Sequence, residues 1–176
     1  MRSFLYLFFI LVVVSSCNED EVDTPIFSQD YGIGMYIVTD LGVSFYNNND
    51  SLAQVQNQIF KTVNNRTIIS PKKIKFYGTK AYILADDYIE TVNVKTFQEK
   101  ETINGFLNIV DLDYVSHDRL FVIDKDDSKV KVVDMESLDI TSQIETGDST
   151  RPVFIISNSY KSFIMNGGGS SDQIKD

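Results

Sequence analysis

The chain holds one histidine, one cysteine, three prolines and no tryptophan among its 176 residues. With His117 as the sole imidazole and no cysteine to spare, a zinc site would have to rest on carboxylates alone. A catalytic triad would need His117 itself beside a nucleophile. One cysteine, Cys17, allows no intrachain disulfide. Cations are also scarce: 16 Lys and Arg stand against 25 Asp and Glu. That balance argues against nucleic acid and against attraction to anionic lipid headgroups. Long apolar runs are missing too, with one exception at the N-terminus.

The exception is Phe4 to Val14, an unbroken apolar stretch following Arg2. As a helix it would be about 16 Å long against a hydrocarbon core of about 30 Å, too short to span a bilayer. The charge, apolar run and small residues Ser15 and Ser16 have the layout of a secretory signal. Val14-Ser15-Ser16-Cys17 resembles a bacterial lipobox. That resemblance implies cleavage before Cys17, a diacylglycerol on its sulfur and acylation of the new amine. Residues 1–16 are then the signal peptide. A buried core thiol and a single transmembrane anchor are the alternatives. Several acyl chains hold a protein on a membrane far more firmly than one.

Asn18 to Asp23 carries four acids in six residues and cannot pack, so residues 17–30 read as a solvated tether. In lipoproteins of Bacteroidota an acidic cluster after the cysteine resembles the signal for export to the outer face of the outer membrane. A plain charged linker is the other reading. Without residues 1–16 the chain keeps 15 basic and 25 acidic residues, a formal charge of −10.

Residues 31–176 are organised by repetition. Ala81-Tyr82-Ile83-Leu84, Leu120-Phe121-Val122-Ile123 and Ser162-Phe163-Ile164-Met165 are aromatic-containing apolar runs, with Met35-Tyr36-Ile37-Val38 as a weaker copy. Phe97 to Leu138 and Ile103 to Ile144 both span 41 residues, and Tyr82 to Phe121 spans 39. Pro71 and Pro152 lie 81 residues apart, two periods, with Val110 in the middle copy. Turn residues divide the second copy into strands over 73–77, 81–85, 89–94 and 98–103. Four strands in about forty residues is the period of a propeller blade. A sandwich of hairpins is the competing architecture. Leu52, Val55, Ile59, Phe60 and Val63 recur at helical spacing, with Asp50 or Ser51 as N-cap. A strand over 52–56 followed by a helical turn fits the same residues.

The pattern of an aromatic-led apolar strand, Val-x-Val, Ile-x-x-Gly and Pro resembles the YVTN or YncE-like β-propellers of Bacteroidota lipoproteins. Val43-Ser44-Phe45-Tyr46, Ile59-Phe60-Lys61, Asn64-Asn65-Arg66 and 74–82 carry it, and it covers about residues 31–169. The resemblance implies an all-β, incomplete propeller of about three four-stranded blades plus one extra strand. Family members usually carry six to eight blades, so it further implies an N-terminal fragment of a longer propeller. An uncovered apolar face and a free strand edge should follow at the C-terminal end, with self-association. One group in this set captures cobalamin at the cell surface and passes it to a TonB-dependent transporter.

Individual motifs add little. His117 falls in a turn. Asp124 to Ser128 has calcium-loop acid spacing, but Lys129 and Met135 stand where Gly and Glu belong, so a hairpin loop is expected. Gly167-Gly168-Gly169 lacks the Lys-Ser/Thr of a phosphate cradle. Asp50-Ser51-Leu52 and Asp148-Ser149-Thr150 resemble a Bacteroidota O-glycosylation pattern. Lys72, Lys73 and Arg151 flank the repeat prolines and would reach the mouth of a central channel, where they are the candidate contacts for an anionic group. No catalytic residues, metal or cofactor are expected. The functional expectation is a non-enzymatic surface lipoprotein binding a ligand or partner, with TonB-linked capture of a cobalamin-like nutrient as the role the resemblance implies. A lactonase-like or quinoprotein-like enzyme and a structural part of a surface assembly are the alternatives.

Overall fold

The computed structural model describes residues 30–116, 118–147, 150–158 and 161–168. Cys17, His117, Asp148, Ser149 and Gly169 lie outside them. The order is β1 (Met35–Thr39), β2 (Gly42–Tyr46), α1 (Ile59–Asn64), β3 (Lys73–Tyr77), β4 (Lys80–Leu84), β5 (Tyr88–Asn93), β6 (Glu99–Asn104), β7 (Ile109–Ser116), β8 (Arg119–Asp124), β9 (Lys129–Asp134), β10 (Ile140–Glu145), β11 (Pro152–Asn158) and β12 (Lys161–Asn166). They form four antiparallel sheets. β3-β4-β5-β6 and β7-β8-β9-β10 are complete four-stranded meanders, and β1-β2 and β11-β12 are two-stranded. The chain is an incomplete propeller: two full blades between two partial ones. No helix among the described residues is long and apolar enough to cross a membrane.

Strand alternation produces the stacking of the sheets. Successive side chains of a strand point to opposite faces. In β4, Ala81 and Ile83 face the first sheet, where they meet Val43, Phe45 and the α1 residues Ile59 and Phe60. Tyr82 and Leu84 face the other way and meet Leu112, Leu120 and Val122 of the third sheet. The pattern repeats one blade later. Leu120 and Val122 look back, while Phe121 and Ile123 look forward to Ile155 and Ile164. A strand covered on both faces reads as a continuous apolar run, which is why these segments carry the repeat signal. Each fully buried Leu, Ile or Val stabilises by roughly 1.5–3 kcal/mol.

The turns repeat atom by atom. Asn93 Oδ1 accepts from the amides of Lys95 and Thr96, and Phe97 N donates to Asn93 O. Forty-one residues on, Asp134 Oδ1 accepts from Glu136 and Ser137, and Leu138 N donates to Asp134 O. Phe97 and Leu138 both adopt left-handed backbone, with φ 57° and 59°. Ser70 and Arg151, each before a repeat proline, share that conformation at φ 51° and 46°.

The segment after β2 differs from both sequence readings. Leu52 is 87% exposed and Val55 is exposed, so neither belongs to a helical core stripe. Asp50 caps a turn by accepting from Leu52 N, instead of starting a helix. The strand over 52–56 is reduced to one bridge, Phe45 to Gln56, and α1 starts only after Gln58, whose backbone is left-handed. Ile59 and Phe60 alone of the apolar set are buried, because the loop before them runs over the surface.

Candidate functional site

β3, β7 and β11 are the first strands of their sheets, and β7 packs against both of the others. Their side chains therefore line the inner side of the array. Cross-strand pairs align them: Lys73 is opposite Leu84, Asp111 opposite Ile123 and Phe154 opposite Met165. Lys73, Asp111 and Phe154 thus stand at one level of three adjacent blades, and Lys75, Asp113 and Ile156 at the next.

At these levels the blades are tied by carboxylates. Asp111 is fully buried. Its Oδ1 lies 2.8 Å from Lys73 Nζ and 3.7 Å from Lys75 Nζ, and its Oδ2 accepts from Ile155 N at 3.2 Å. Asp113 accepts from the Tyr77 hydroxyl at 2.5 Å on one side and from Ser157 N at 2.5 Å on the other. Burial, and then the hydrogen bond to Asp113, pushes the Tyr77 phenol well above its usual range. One Asp-x-Asp pair on β7 thereby joins the second blade to the fourth.

A second network runs along the rim where the first strands begin. Lys72 Nζ sits 2.7 Å from Asp86 and donates to Asn108 Oδ1 at 2.7 Å. Asn108 Nδ2 donates to Asp126 at 2.8 Å, and Asp126 lies 3.5 Å from Arg151. Asp86, Lys72, Asn108, Asp126 and Arg151 form one chain of contacts over three blades. Beneath it, buried Asp124 accepts from Leu107 N and Asn108 N and meets Lys131 at 2.7 Å. The acid-rich segment after β8 is a hairpin loop, with Ser128 N closing onto Lys125 O.

The three cations expected at the channel mouth accordingly divide. Lys72 and Arg151 share the rim network. Their carboxylate partners are about half exposed, 57% for Asp86 and 47% for Asp126. Exposed pairs of this kind contribute about 0–1 kcal/mol, so an incoming anion displaces them at little expense. Lys73 is turned to buried Asp111, where separation would leave a buried charge unpaired. The sequence reading gave no role to Asn108, Asp111 or Asp113, and placed Asp126 only in the hairpin loop of Asp124 to Ser128. The visible signal of Asp111 and Asp113 is acids at alternate positions in a strand that otherwise reads apolar, Ile109 to Tyr114. At the opposite end of the blades, Tyr77, Gly78, Thr79, Lys80, Asp118, Met135 and Glu136 line a cleft of about 410 Å³.

The class of architecture has a counterpart among solved structures. The chain is similar to a quinoprotein alcohol dehydrogenase-like protein from Bacteroides thetaiotaomicron, with a TM-score of 0.53 and 17% identity. The match covers 65% of this chain and 28% of that protein, so the chain spans just over a quarter of its length. The likeness is one of propeller-type fold. No family model matches the sequence, and no curated protein does.

Proposed function

We propose that this chain is a lipid-anchored propeller module that binds a ligand or partner through the rim of its first strands. The observation that carries the reading is the network from Asp86 through Lys72, Asn108 and Asp126 to Arg151. It places two cations on an acidic chain, and their carboxylate partners Asp86 and Asp126 are exposed; Lys72 also donates to Asn108 Oδ1 and Ile109 O. An anionic group that displaces those partners gains two charge-assisted contacts. The buried carboxylates support binding over catalysis, because Asp111, Asp113 and Asp124 are committed to backbone amides and cations that hold blades together.

In this reading Cys17 carries the lipid, residues 17–30 are the tether, and the module sits on the outer membrane facing the exterior. A TonB-dependent transporter is the partner and a cobalamin-like nutrient the cargo. Titration of the full chain with cobinamide, cobalamin and glycans tests it, and absence of binding to all three overturns the nutrient role. Replacing Lys72 and Arg151 together by Ala should abolish binding of an anionic ligand. Palmitate labelling lost in Cys17→Ala tests the anchor, and copurification with the transporter tests the partner.

The name of the structural neighbour favours one second reading, a quinone-dependent dehydrogenase. Dye reduction with an alcohol and added quinone cofactor, absent in the full chain, overturns it.

A further inference from the structure

Between the second and third sheets, at the end of the blades away from the Lys72 and Arg151 rim, lies the cleft of about 410 Å³. That size falls within the range of about 300–1,000 Å³ for small-molecule sites. Both sheets that enclose it are complete. One wall is the β3-β4 turn, Tyr77 to Lys80, and the other is Asp118 with Met135 and Glu136. Main-chain bonds hold both walls. Val94 N donates to Thr79 O at 3.0 Å, and one blade later Met135 N donates to Asp118 O at 2.8 Å. The floor is aromatic. An adjoining recess of about 330 Å³ brings Tyr114 beside Tyr77, Gly78 and Met135. The Tyr77 and Tyr114 rings stack with centroids 5.2 Å apart and planes 28° apart, and Tyr82 backs Tyr77 at 6.0 Å. The Tyr77 ring is fixed in place, because its hydroxyl donates to Asp113 and accepts from Tyr114 N at 3.0 Å.

The polar groups around this floor are of both kinds. Lys80 Nζ reaches across the cleft to Met135 O at 3.4 Å, longer than the usual distance of about 2.7–3.2 Å. An ammonium has three donors, so Lys80 keeps donors to spare. The exposed Glu136 carboxylate has no hydrogen bond or ion pair among the described residues, and its acceptor positions are open. Asp118 accepts from the Ser116 hydroxyl and lies 3.5 Å from Arg119. Lys80 and Arg119 thus offset Asp118 and Glu136, and the cleft offers donors and acceptors without an excess of either charge. An anion would meet two carboxylates, and a quaternary amine would meet the Lys80 ammonium. A wholly apolar ring would bury polar groups without partners, which is costly. The lining suits a neutral ring with an apolar face and hydroxyls around its edge.

We propose that this inter-blade cleft is a carbohydrate site that takes one neutral pyranose unit. The apolar C–H face of the sugar lies against the Tyr77-Tyr114 pair and the Met135 thioether. Its hydroxyls accept from Lys80 Nζ and donate to the Glu136 carboxylate, both charge-assisted contacts. The fixed floor lowers the ordering cost of binding. The site is separate from the rim, so neither depends on the other.

Methionine-methyl NMR on the full chain tests the proposal, because Met135 lines the cleft while Met35 and Met165 lie on β1 and β12. The probes are methyl glucoside, methyl galactoside and methyl mannoside, with inorganic phosphate and tetramethylammonium as charged comparisons. At least one glycoside should shift the Met135 signal saturably and leave Met35 and Met165 in place. Glu136→Ala should weaken that response about tenfold, the loss expected for a hydrogen bond to a charged group. Tyr114→Leu, which removes the ring face, should abolish the response, and Tyr114→Phe should retain it. Thermal melting checks that each variant is folded; should Tyr114→Leu unfold, Glu136→Ala decides, since that residue is exposed. Four results overturn the proposal: a Met135 signal unmoved by all three glycosides, three methionine signals that move together, a response of full strength in Glu136→Ala, or a shift with phosphate or tetramethylammonium as large as with any glycoside.

Discussion

Single residues in this fold are often set against local preference by what surrounds them. Tyr82 is fully buried, and its hydroxyl has no hydrogen-bond partner among the described residues. Burial pushes its phenol up to about 12. A buried hydroxyl without a partner costs about 1–3 kcal/mol. Tyr82→Phe should therefore be neutral or raise stability by up to about 1 kcal/mol, as read by chemical denaturation; a clear loss would show that the hydroxyl is satisfied. Glu90 and Lys131 stand 41 residues apart at matching positions of β5 and β9, both buried and of opposite charge. Glu90 meets Arg66 at 2.8 Å, and Lys131 meets Asp124 at 2.7 Å. The repeat conserves a buried charge position while the partner is found locally each time. Asp134 behaves differently, because it works at the surface. The amides of Ser137 and then Glu136 hold its carboxyl below the usual range. Its contribution to stability is thus complete above the unfolded value of about 3.9 and fades as pH falls through the lower folded value. Asp134→Asn copies Asn93 in the preceding blade. It should keep the turn and flatten the stability profile below about pH 4, whereas Asp134→Ala should lower the melting temperature at neutral pH. Thermal melts between acid and neutral pH separate the two.

At the scale of elements, the hairpin ending each third strand shows how packing overrides backbone preference. Phe97 and Leu138 occupy left-handed backbone, which costs a non-glycine residue about 1–2 kcal/mol. Both are held there because their side chains are buried between blades. Phe97→Gly relieves the backbone but removes a buried aromatic worth about 3–5 kcal/mol. The expected net loss is about 1–4 kcal/mol, measured as a fall in denaturant midpoint. An unchanged midpoint would show that the ring packs weakly. The outer strands follow another rule. β6 begins Glu99-Lys100-Glu101-Thr102, all exposed, and such charged edges discourage pairing with other chains.

At the scale of the whole molecule, blades are joined by apolar faces and by the Asp-x-Asp pair of β7. Asp111 touches the second blade through Lys73 and the fourth through Ile155 N. Asp111→Ala should cost about 1–3 kcal/mol, since it leaves the buried Ile155 amide unmet while the partly exposed Lys73 and Lys75 ammoniums turn to water. Hydrogen exchange should locate much of the loss at Ile155, as β11-β12 loosens from β7. Uniform destabilisation with Ile155 as protected as before would show that the carboxylate does not hold the fourth blade. On β11-β12, Phe154, Ile156, Phe163 and Met165 are exposed on the face opposite Ile155 and Ile164.

The sequence by itself determined the blade: strand number, turn positions and repeat length follow from apolar runs buried on both faces and from Asn93 and Asp134 turn chemistry. It missed the reduced first blade, where Leu52 and Val55 have the spacing of a helix but no core to cover. Only tertiary structure decided which charges matter together. Lys72, Asn108, Asp126 and Arg151 are distant in sequence, and the stacking of three sheets brings them to one rim. Lys73 neighbours Lys72 in the chain yet faces a buried carboxylate, because Lys73 opens β3 and points into the array while Lys72, just before the strand, reaches the rim. Periodicity is a property of one strand and its neighbours, and a chain can display it; the pairing of charges across blades depends on how whole sheets are turned against each other.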